Sequence, residues 1–457
     1  MECFKVYANE IEGRIDPNPY HPVRLNAIKK VKTSKYQLLP LREVAEFKKQ
    51  LVTLKSSDLV YVGLENIESN TGVYIPSAEE KESFGTALKF EKGDVLFPKL
   101  RPYLNKVYLA EFDGVCSTEF HVLKAIKCNN MYLFCFLNSQ LIVNQTYYLM
   151  TGNTLPRLQT EEVEILLIPI PPFEIQKKIV DLIKEAYAHK KSKQAEAKQL
   201  LDSIDDYVLD ELGIKLPELK DKMVYVVNSE EVQNKRVDTF YYQPKFEEVE
   251  KAIKKGKYNI KPLNKVVDFI PGYAFKSSDY VNSGIIPLLR IQNITDWGIN
   301  FDSNIFLPNE YLEKYKKFKL LDRDILISMT GAKEGAGSVG KVAINEKKRV
   351  GLVNQRVGIL RVRLNEIKDY YLYSYLKTKI FRILLIRNSV ISVQVNASED
   401  DILKILIPIP PLEIQSRIAG EVKTRMQKAK QLQEEAKNIL EEAKEKIERI
   451  ILGEEVI

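Results

Sequence analysis

Two stretches of the chain carry apolar residues at intervals of three and four, with charged residues between them. The first series is Ile179, Leu182, Ala186, Ala197, Leu200, Ile204 and Tyr207, with a polar interruption at Lys190 and Lys193. The second is Val422, Met426, Ala429, Leu432, Ala436, Leu440, Ala443, Ile447 and Ile450. This spacing predicts two long helices, over 173–213 and 412–457, each with a narrow coiled-coil seam. Proline opens each segment, and Gly213 or Gly453 closes it. A helix of ~40 residues is ~60 Å long at 1.5 Å per residue. So narrow a stripe suits a partner helix better than a globular core, and an antiparallel pair is the simplest burial; the alternative packs each helix on its own domain.

Elsewhere the apolar residues fall in short runs rich in β-branched side chains, punctuated by Gly, Asn and Asp. Val60–Leu64, Asp94–Phe97, Ile286–Ile291, Ile325–Met329 and Gly358–Val362 read as strands. Met131–Val143 and Lys368–Leu385 read as short helices.

The pattern occurs twice. Ile168-Pro-Ile-Pro-Pro-Phe-Glu-Ile-Gln176 returns as Ile407-Pro-Ile-Pro-Pro-Leu-Glu-Ile-Gln415, each followed by a long charged helix. Arg14-Ile-Asp16 aligns with Arg236-Val-Asp238, and the run Lys35–Phe47 aligns with Lys257–Phe269. Phe90–Phe97 parallels Leu320–Ile327 more loosely. The offset grows from about 222 residues early to about 239 late, so the second copy carries an insertion. Four parts result: domains over 1–172 and 214–411, and helices over 173–213 and 412–457. The expected class is α+β: two mostly-β domains with short helices, separated by two long antiparallel coiled-coil helices in a pseudo-twofold repeat.

Composition narrows the function only a little. At 457 residues, 45% hydrophobic and 29% charged, the chain is ordinary soluble material for several domains. A net charge of +7 weakly favours a polyanionic partner. Cys3, Cys116, Cys128 and Cys135 form no CxxC pair, so neither a disulfide framework nor a zinc site is expected. Met1 to Asn9 lacks a signal pattern, and no apolar run is long enough for a membrane, which points to the cytoplasm. His21, His121 and His189 lie apart, without the partners that a metal site requires. Gly335-Ala-Gly-Ser-Val-Gly340 matches GxGxxG, but Lys341–Asn345 after it reads as strand, where a dinucleotide site needs a helix N-terminus. Asp16-Pro-Asn-Pro-Tyr20 departs from the adenine-methyltransferase box, and no FxGxG cofactor motif accompanies it.

The side chains at the strand ends are those that pair with phosphates and base edges. The second half offers Lys276, Ser277, Ser278, Arg290, Gln292, Asn293, Thr330, Lys333, Lys341, Asn354, Gln355 and Arg356. The first offers Lys99, Arg101, Tyr103, Lys106, Asn153 and Arg157, with Ser117 and Thr118 beside them.

With its paired Ile-Pro-Ile-Pro-Pro-x-Glu-Ile-Gln motifs and trailing helices, the chain resembles the specificity subunits (HsdS) of type I restriction–modification enzymes. Gly272–Tyr280, Asp324–Gly331 and Leu352–Arg356 carry the same likeness. The resemblance implies two target-recognition domains, each reading one half of an asymmetric bipartite site in double-stranded DNA. It also implies helices that act as a spacer ruler and a platform for two methyltransferase subunits. Catalysis, S-adenosylmethionine, ATP and Mg would belong to those and to restriction subunits, leaving this chain non-catalytic and without a cofactor. The first half lacks the Phe-Lys-Ser-Ser-Asp and Asn-Gln-Arg strings, so its contacts follow less directly. Two rivals stand beside this reading: an enzyme subunit, which predicts a cofactor or metal motif, and a coiled-coil scaffold without DNA specificity.

Overall fold

A computed structural model of the chain describes residues 16–53, 59–77, 85–152, 154–232, 236–302, 305–332, 339–346, 348–363, 366–391 and 394–455. The two long helices are Phe173–Leu212 and Leu412–Leu452. By packing, the chain forms two compact units. One takes residues up to Lys193 together with Glu434 onward; the other is Gln194–Gln433. Each helix therefore contributes to both units.

One four-stranded sheet recurs in both units with the same topology. In the first unit a four-stranded sheet runs Ala45–Lys48, Phe120–Ala125, Val95–Pro98, Tyr108–Leu109, with antiparallel neighbours throughout. In the second the order Val267–Pro271, Val357–Val362, Ile325–Ser328, Val342–Ile344 repeats it. Each unit adds one parallel pairing, Tyr61–Val62 on Gly114–Ser117 and Ile286–Leu289 on Leu352–Val353. A two-stranded ribbon binds the start of each domain to its end: Gln37–Pro40 pairs with Leu167–Ile170, and Ile260–Pro262 with Leu406–Pro408. The strand Val342–Ile344 lies just after Gly340, where a dinucleotide fingerprint would need a helix.

The repeated nonapeptide has a structural purpose. Its proline carbonyls start the long helices: Pro172 O accepts from Gln176 N at 3.1 Å, and Pro411 O from Gln415 N at 3.0 Å. Both glutamine side chains are then buried as clamps. Gln176 Oε1 accepts from Asn129 N at 2.8 Å while its Nε2 donates to Pro171 O at 2.9 Å. Gln415 does the same with Lys368 N (2.7 Å) and Pro410 O (2.8 Å), and also donates to Glu366 O. Asn129 and Lys368 are the N-caps of the helices Asn130–Leu137 and Asp369–Leu376. The clamp thus ties each long helix to the domain before it. A buried amide is tolerated there because its donor and acceptor are both satisfied.

Met131–Val143 and Lys368–Leu385, each expected as one helix, are each two: Asn130–Leu137 with Gln140–Thr146, and Asp369–Leu376 with Lys379–Asn388. The break has a physical cause. The N–H groups that open the second helices go to acids on the long helices: Gln140 N donates to Glu448 Oε1 at 2.8 Å, and Lys379 N to Asp205 Oδ1 at 2.6 Å. An acid at a helix N-terminus satisfies orphan donors and complements the helix dipole.

The long helices pair within each unit, and the pairing is antiparallel. In the second unit Arg425 Nη1 donates to Ser203 O at 3.0 Å, and Arg417 pairs with Glu211, so partners descend on one helix as they rise on the other. Ala197, Ala429 and Leu432 close that seam. In the first, Lys193 Nζ meets Glu435 Oε2 at 2.7 Å. Packing on the helix's own domain, the alternative, holds only for the start of each helix; the end packs on the other domain. Ile418, Val422 and Met426 join one core with Tyr370 and Tyr373, while Leu440, Ile447 and Ile450 join the core of the N-terminal domain with Tyr132 and Leu133. The end of the C-terminal helix therefore serves the first domain as the end of the central helix serves the second. Gly213 (φ +66°) and Gly453 (φ +78°) are left-handed C-caps in which a Cβ would strike the side chains of Lys257 and Lys35, equivalent lysines of the repeat.

Candidate nucleic-acid interface

Strand pairing fixes residue equivalences that sequence alone does not. Leu289 pairs with Val353 as Val62 pairs with Cys116, and Ser328 pairs with Val357 as Pro98 pairs with Phe120. The turn Asn354-Gln355-Arg356 is therefore the counterpart of Ser117-Thr118-Glu119. Matching backbone bonds hold both turns: Met329 N donates to Arg356 O at 3.0 Å, and Lys99 N to Glu119 O at 2.7 Å. A second match follows. Leu158 N donates to Lys99 O at 2.9 Å, and Ala397 N to Met329 O at 2.8 Å.

In the second unit this frame gathers Arg290, Asn354, Gln355, Arg356 and Thr330. Asn354 N donates to Leu289 O at 2.9 Å, so this turn lies against the end of the strand Ile286–Leu289, just before Arg290. Gln355 and Arg356 are exposed, and among the described residues Arg356 forms no ion pair. The buried Nε of Arg290 lacks a hydrogen-bond partner among those residues. Lys276, Ser277 and Ser278 are exposed on a short 3-10 turn after Phe275, and Gln292 is exposed after Arg290. Lys341 is ion-paired with Asp296 at 3.2 Å. The hydroxyl of Thr330 donates to Asn396 Oδ1 at 3.0 Å. Lys333 lies outside the described residues.

Asn293 belongs to the scaffold. Its Oδ1 accepts from Arg290 N at 2.9 Å and its Nδ2 donates to Asn300 O at 2.8 Å, in a side chain only 2% exposed. Asn66 is its double, accepting from Gly63 N at 2.9 Å and donating to Ile75 O at 3.0 Å. A buried asparagine spent on capping has little left to offer a base edge.

In the first unit Lys99, Arg101, Tyr103 and Arg157 come together. Arg101 N donates to Pro156 O at 2.9 Å; the residue is exposed, and its left-handed backbone (φ +48°) opens the 3-10 turn Pro102–Leu104. Arg157 grips Glu119 bidentately, with Nε and Nη2 both within 3.2 Å of the carboxylate. That guanidinium holds the Glu119 carboxyl below its ordinary range. Lys99 Nζ donates to Thr118 O at 2.9 Å, and burial lowers its pKa. Lys106 turns to the Leu64 carbonyl at 2.8 Å, which pins the capping loop. Asn153 lies outside the described residues.

Sequence reasoning missed the row of rings around Tyr103. Tyr103 meets Tyr147 edge-on at 5.9 Å, Tyr147 meets Tyr148 at 4.9 Å, and His21 stacks on Tyr148 at 3.8 Å. The doublet Tyr147-Tyr148 was the available signal. His121 is buried beneath Lys99; burial first, then Lys99 and Lys49, push it down to about 3, so it is neutral. Burial likewise pushes the thiols of Cys116, Cys128 and Cys135 up to about 12, which removes thiolate chemistry there at neutral pH. Among the described residues no group of His, Cys, Asp or Glu could hold a metal ion, and no helix is long and apolar enough to cross a membrane.

A twice-built β scaffold that presents unlike polar turns, each tied to a long helix, defines a duplicated recognition protein. A family model described as the type I restriction modification DNA specificity domain matches residues 33–202 and 255–442, and the chain belongs to that family. It is 25% identical over 400 residues to the MjaVIII type I restriction enzyme specificity subunit of Methanocaldococcus jannaschii, spanning 79% of this chain and 89% of that protein. The putative MjaX specificity subunit of the same organism is 29% identical over 185 residues, 39% of this chain and 42% of that one. Among solved structures, the HsdS subunit from Thermoanaerobacter tengcongensis is 21% identical, covers 92% of this chain and 95% of its own, and superposes with a TM-score of 0.35. The S subunit from M. genitalium is 14% identical at 92% and 96% coverage, with a TM-score of 0.43.

Proposed function

We propose that this chain is the DNA-reading subunit of a type I restriction–modification complex, with one domain for each half of an asymmetric bipartite site. Domain 1–172 reads one half-site and domain 214–411 the other. Helices 173–213 and 412–457 set the gap between them and seat two methyltransferase subunits. The chain is non-catalytic. S-adenosylmethionine acts on the methyltransferase subunits, and ATP and Mg on the restriction subunits, while this chain reads sequence in the cytoplasm.

One observation carries the reading. Equivalent turns of the repeat bear opposite charge: Arg356 in the second unit against Glu119, ion-paired to Arg157, in the first. A shared scaffold with reversed chemistry at the same place supports two unlike recognition surfaces. Arginine and glutamine at an exposed turn suit guanine and adenine edges respectively, and neighbouring cations suit phosphates.

The test is to express the chain with the methyltransferase subunit of its own system in a methylation-free host and to map the modified adenines. Two unlike half-sites around a fixed gap are expected. A continuous motif, or two identical half-sites, would contradict the reading.

A further inference from the structure

A second basic surface adjoins the Gln355–Arg356 turn, and the sequence pattern did not single it out. The run Glu310–Leu320 holds Lys314, Lys316, Lys317 and Lys319 against Glu310 and Glu313. It folds as a short helix, Tyr311–Lys314, and a 3-10 turn, Lys316–Phe318. The rings of this run pack onto Tyr273 and Phe275: Tyr315 lies 4.8 Å from Tyr273 and 5.1 Å from Phe275, and Phe318 lies 5.1 Å from Tyr273.

The lysines stay outside. Lys314, Lys316 and Lys317 are exposed, and among the described residues none of the three forms an ion pair. The ammonium of Lys314 stands 5.3 Å and 5.4 Å from the Tyr311 and Tyr315 rings, and that of Lys317 stands 6.0 Å from Phe318. Cation–π contact holds the heads of Lys314 and Lys317 in place without neutralising them. The cluster is also tied to the reading turn through the main chain. Tyr273 N donates to Val353 O and Gly272 N to Val357 O, both at 2.9 Å. A Cβ at Gly272 would stand 2.1 Å from Asn354 O, so only glycine lets the two segments meet.

We infer that Lys314, Lys316 and Lys317 bind the phosphodiester backbone of duplex DNA beside the bases faced by Gln355 and Arg356; this rests on the DNA-reading function proposed above. Charge complementarity selects the occupant: exposed ammonium groups, without an ion pair among the described residues, next to a polar reading turn suit a polyanion lying across both. In sequence, at the offset that aligns Phe90–Phe97 with Leu320–Ile327, the counterpart run begins Glu80-Lys-Glu82 and lacks the lysine cluster.

The test compares the chain, assembled with its methyltransferase partners, with the triple variant K314Q/K316Q/K317Q. Binding to cognate and to unrelated duplex is measured from about 50 to 200 mM salt. Affinity for both duplexes is expected to fall, with their ratio kept. At a slope of about −0.9 per phosphate contact, the loss of affinity across that salt range should shrink by roughly 10–40-fold. K314R/K316R/K317R should retain the original slope. An unchanged affinity and slope in the glutamine variant overturns the inference. So does a folded glutamine variant that no longer assembles with the methyltransferase subunits, which would make the patch a protein-docking face. Failure of the unaltered complex to prefer cognate DNA would instead remove the DNA-reading function, a result visible without any variant.

Discussion

The turns Ser117-Thr118-Glu119 and Asn354-Gln355-Arg356 occupy one place in two copies of the same fold and differ in nearly everything they present. In the first unit the acid is neutralised by Arg157 and the nearby Lys99 is tied to a carbonyl, so the exposed charge falls to Arg101. In the second, Arg356 and Lys276 stand unpaired among the described residues, beside a lysine-bearing turn. Duplication kept what holds the backbone and released what faces outward. The conserved parts are buried: Gln176 and Gln415, Asn66 and Asn293, Asp94 and Asp324. Asp94 Oδ2 accepts from Glu91 N at 2.8 Å, and Asp324 Oδ2 from Leu321 N at 2.7 Å; the cation on each differs, Lys48 in one and Arg361 in the other.

The scaffold side of this comparison carries the largest expected effect. Gln176→Ala strands one backbone N–H and one carbonyl, and Gln415→Ala one N–H and two carbonyls, at the foot of a long helix. Each should cost about 2–4 kcal/mol, by analogy with losing several buried hydrogen bonds at once. Denaturant unfolding of the two variants checks this. Losses of similar size would confirm equivalent clamps, and a cost in only one half would break the symmetry.

The helix seams differ next. In the first unit Lys190 is buried and Lys444 half-buried, where the offset of the repeated nonapeptide gives the second unit Ala429 and Asp205. Burial lowers the Lys444 ammonium to about 8, and its hydrogen bonds to Asn70 O and Asn138 Oδ1 do not offset this. The unfolded chain holds that proton up to the ordinary value of 10.5. Between about pH 8 and 10.5 the unfolded state thus binds more protons, and stability rises with pH through that window; below it the penalty is complete. Lys444→Met should remove the rise and stabilise the protein at pH 7 by on the order of 2 kcal/mol. Thermal unfolding measured from pH 7 to 10.5 checks both statements.

Smaller effects are expected at the turns themselves. Arg356→Ala should weaken binding of the cognate duplex by about 1–3 kcal/mol, with discrimination lost at one base of one half-site. Glu119→Gln releases Arg157 and should do the reverse, raising affinity a few-fold without regard to sequence and steepening the salt dependence by about one phosphate contact. Titrations on cognate and unrelated duplexes at several salt concentrations separate the two outcomes. Equal behaviour of the two variants would erase the contrast between the turns.

The long helices and their boundaries were legible because period, proline and glycine agree there. Phe173–Leu212 and Leu412–Leu452 lie within the segments expected over 173–213 and 412–457, the second ending at Leu452. The nonapeptide repeat was plain as a pattern, but its purpose was not, since nothing local says that Gln176 reaches the N-cap at Asn129. Capping loops hid for another reason. Gly63-Leu-Glu-Asn66 and Arg290-Ile-Gln-Asn293 share one residue type, so Asn293 read as a contact while Asn66 went unnoticed. Polar residues at strand ends are ambiguous in sequence because capping, ion pairing and recognition draw on the same side chains. Lys106, Asn293 and Lys341 are held by the fold, and Arg101, Lys276 and Arg356 face outward. Only long-range pairing distinguishes them.

The central claim is that two diverged domains on one repeated scaffold read independently. Replacing residues 15–165 with the corresponding domain of another family member, assembling the chimaera with its methyltransferase subunits and mapping modified adenines tests it most directly. One half-site should change while the other half-site and the gap stay fixed. A change in both half-sites, or in neither, would contradict the account.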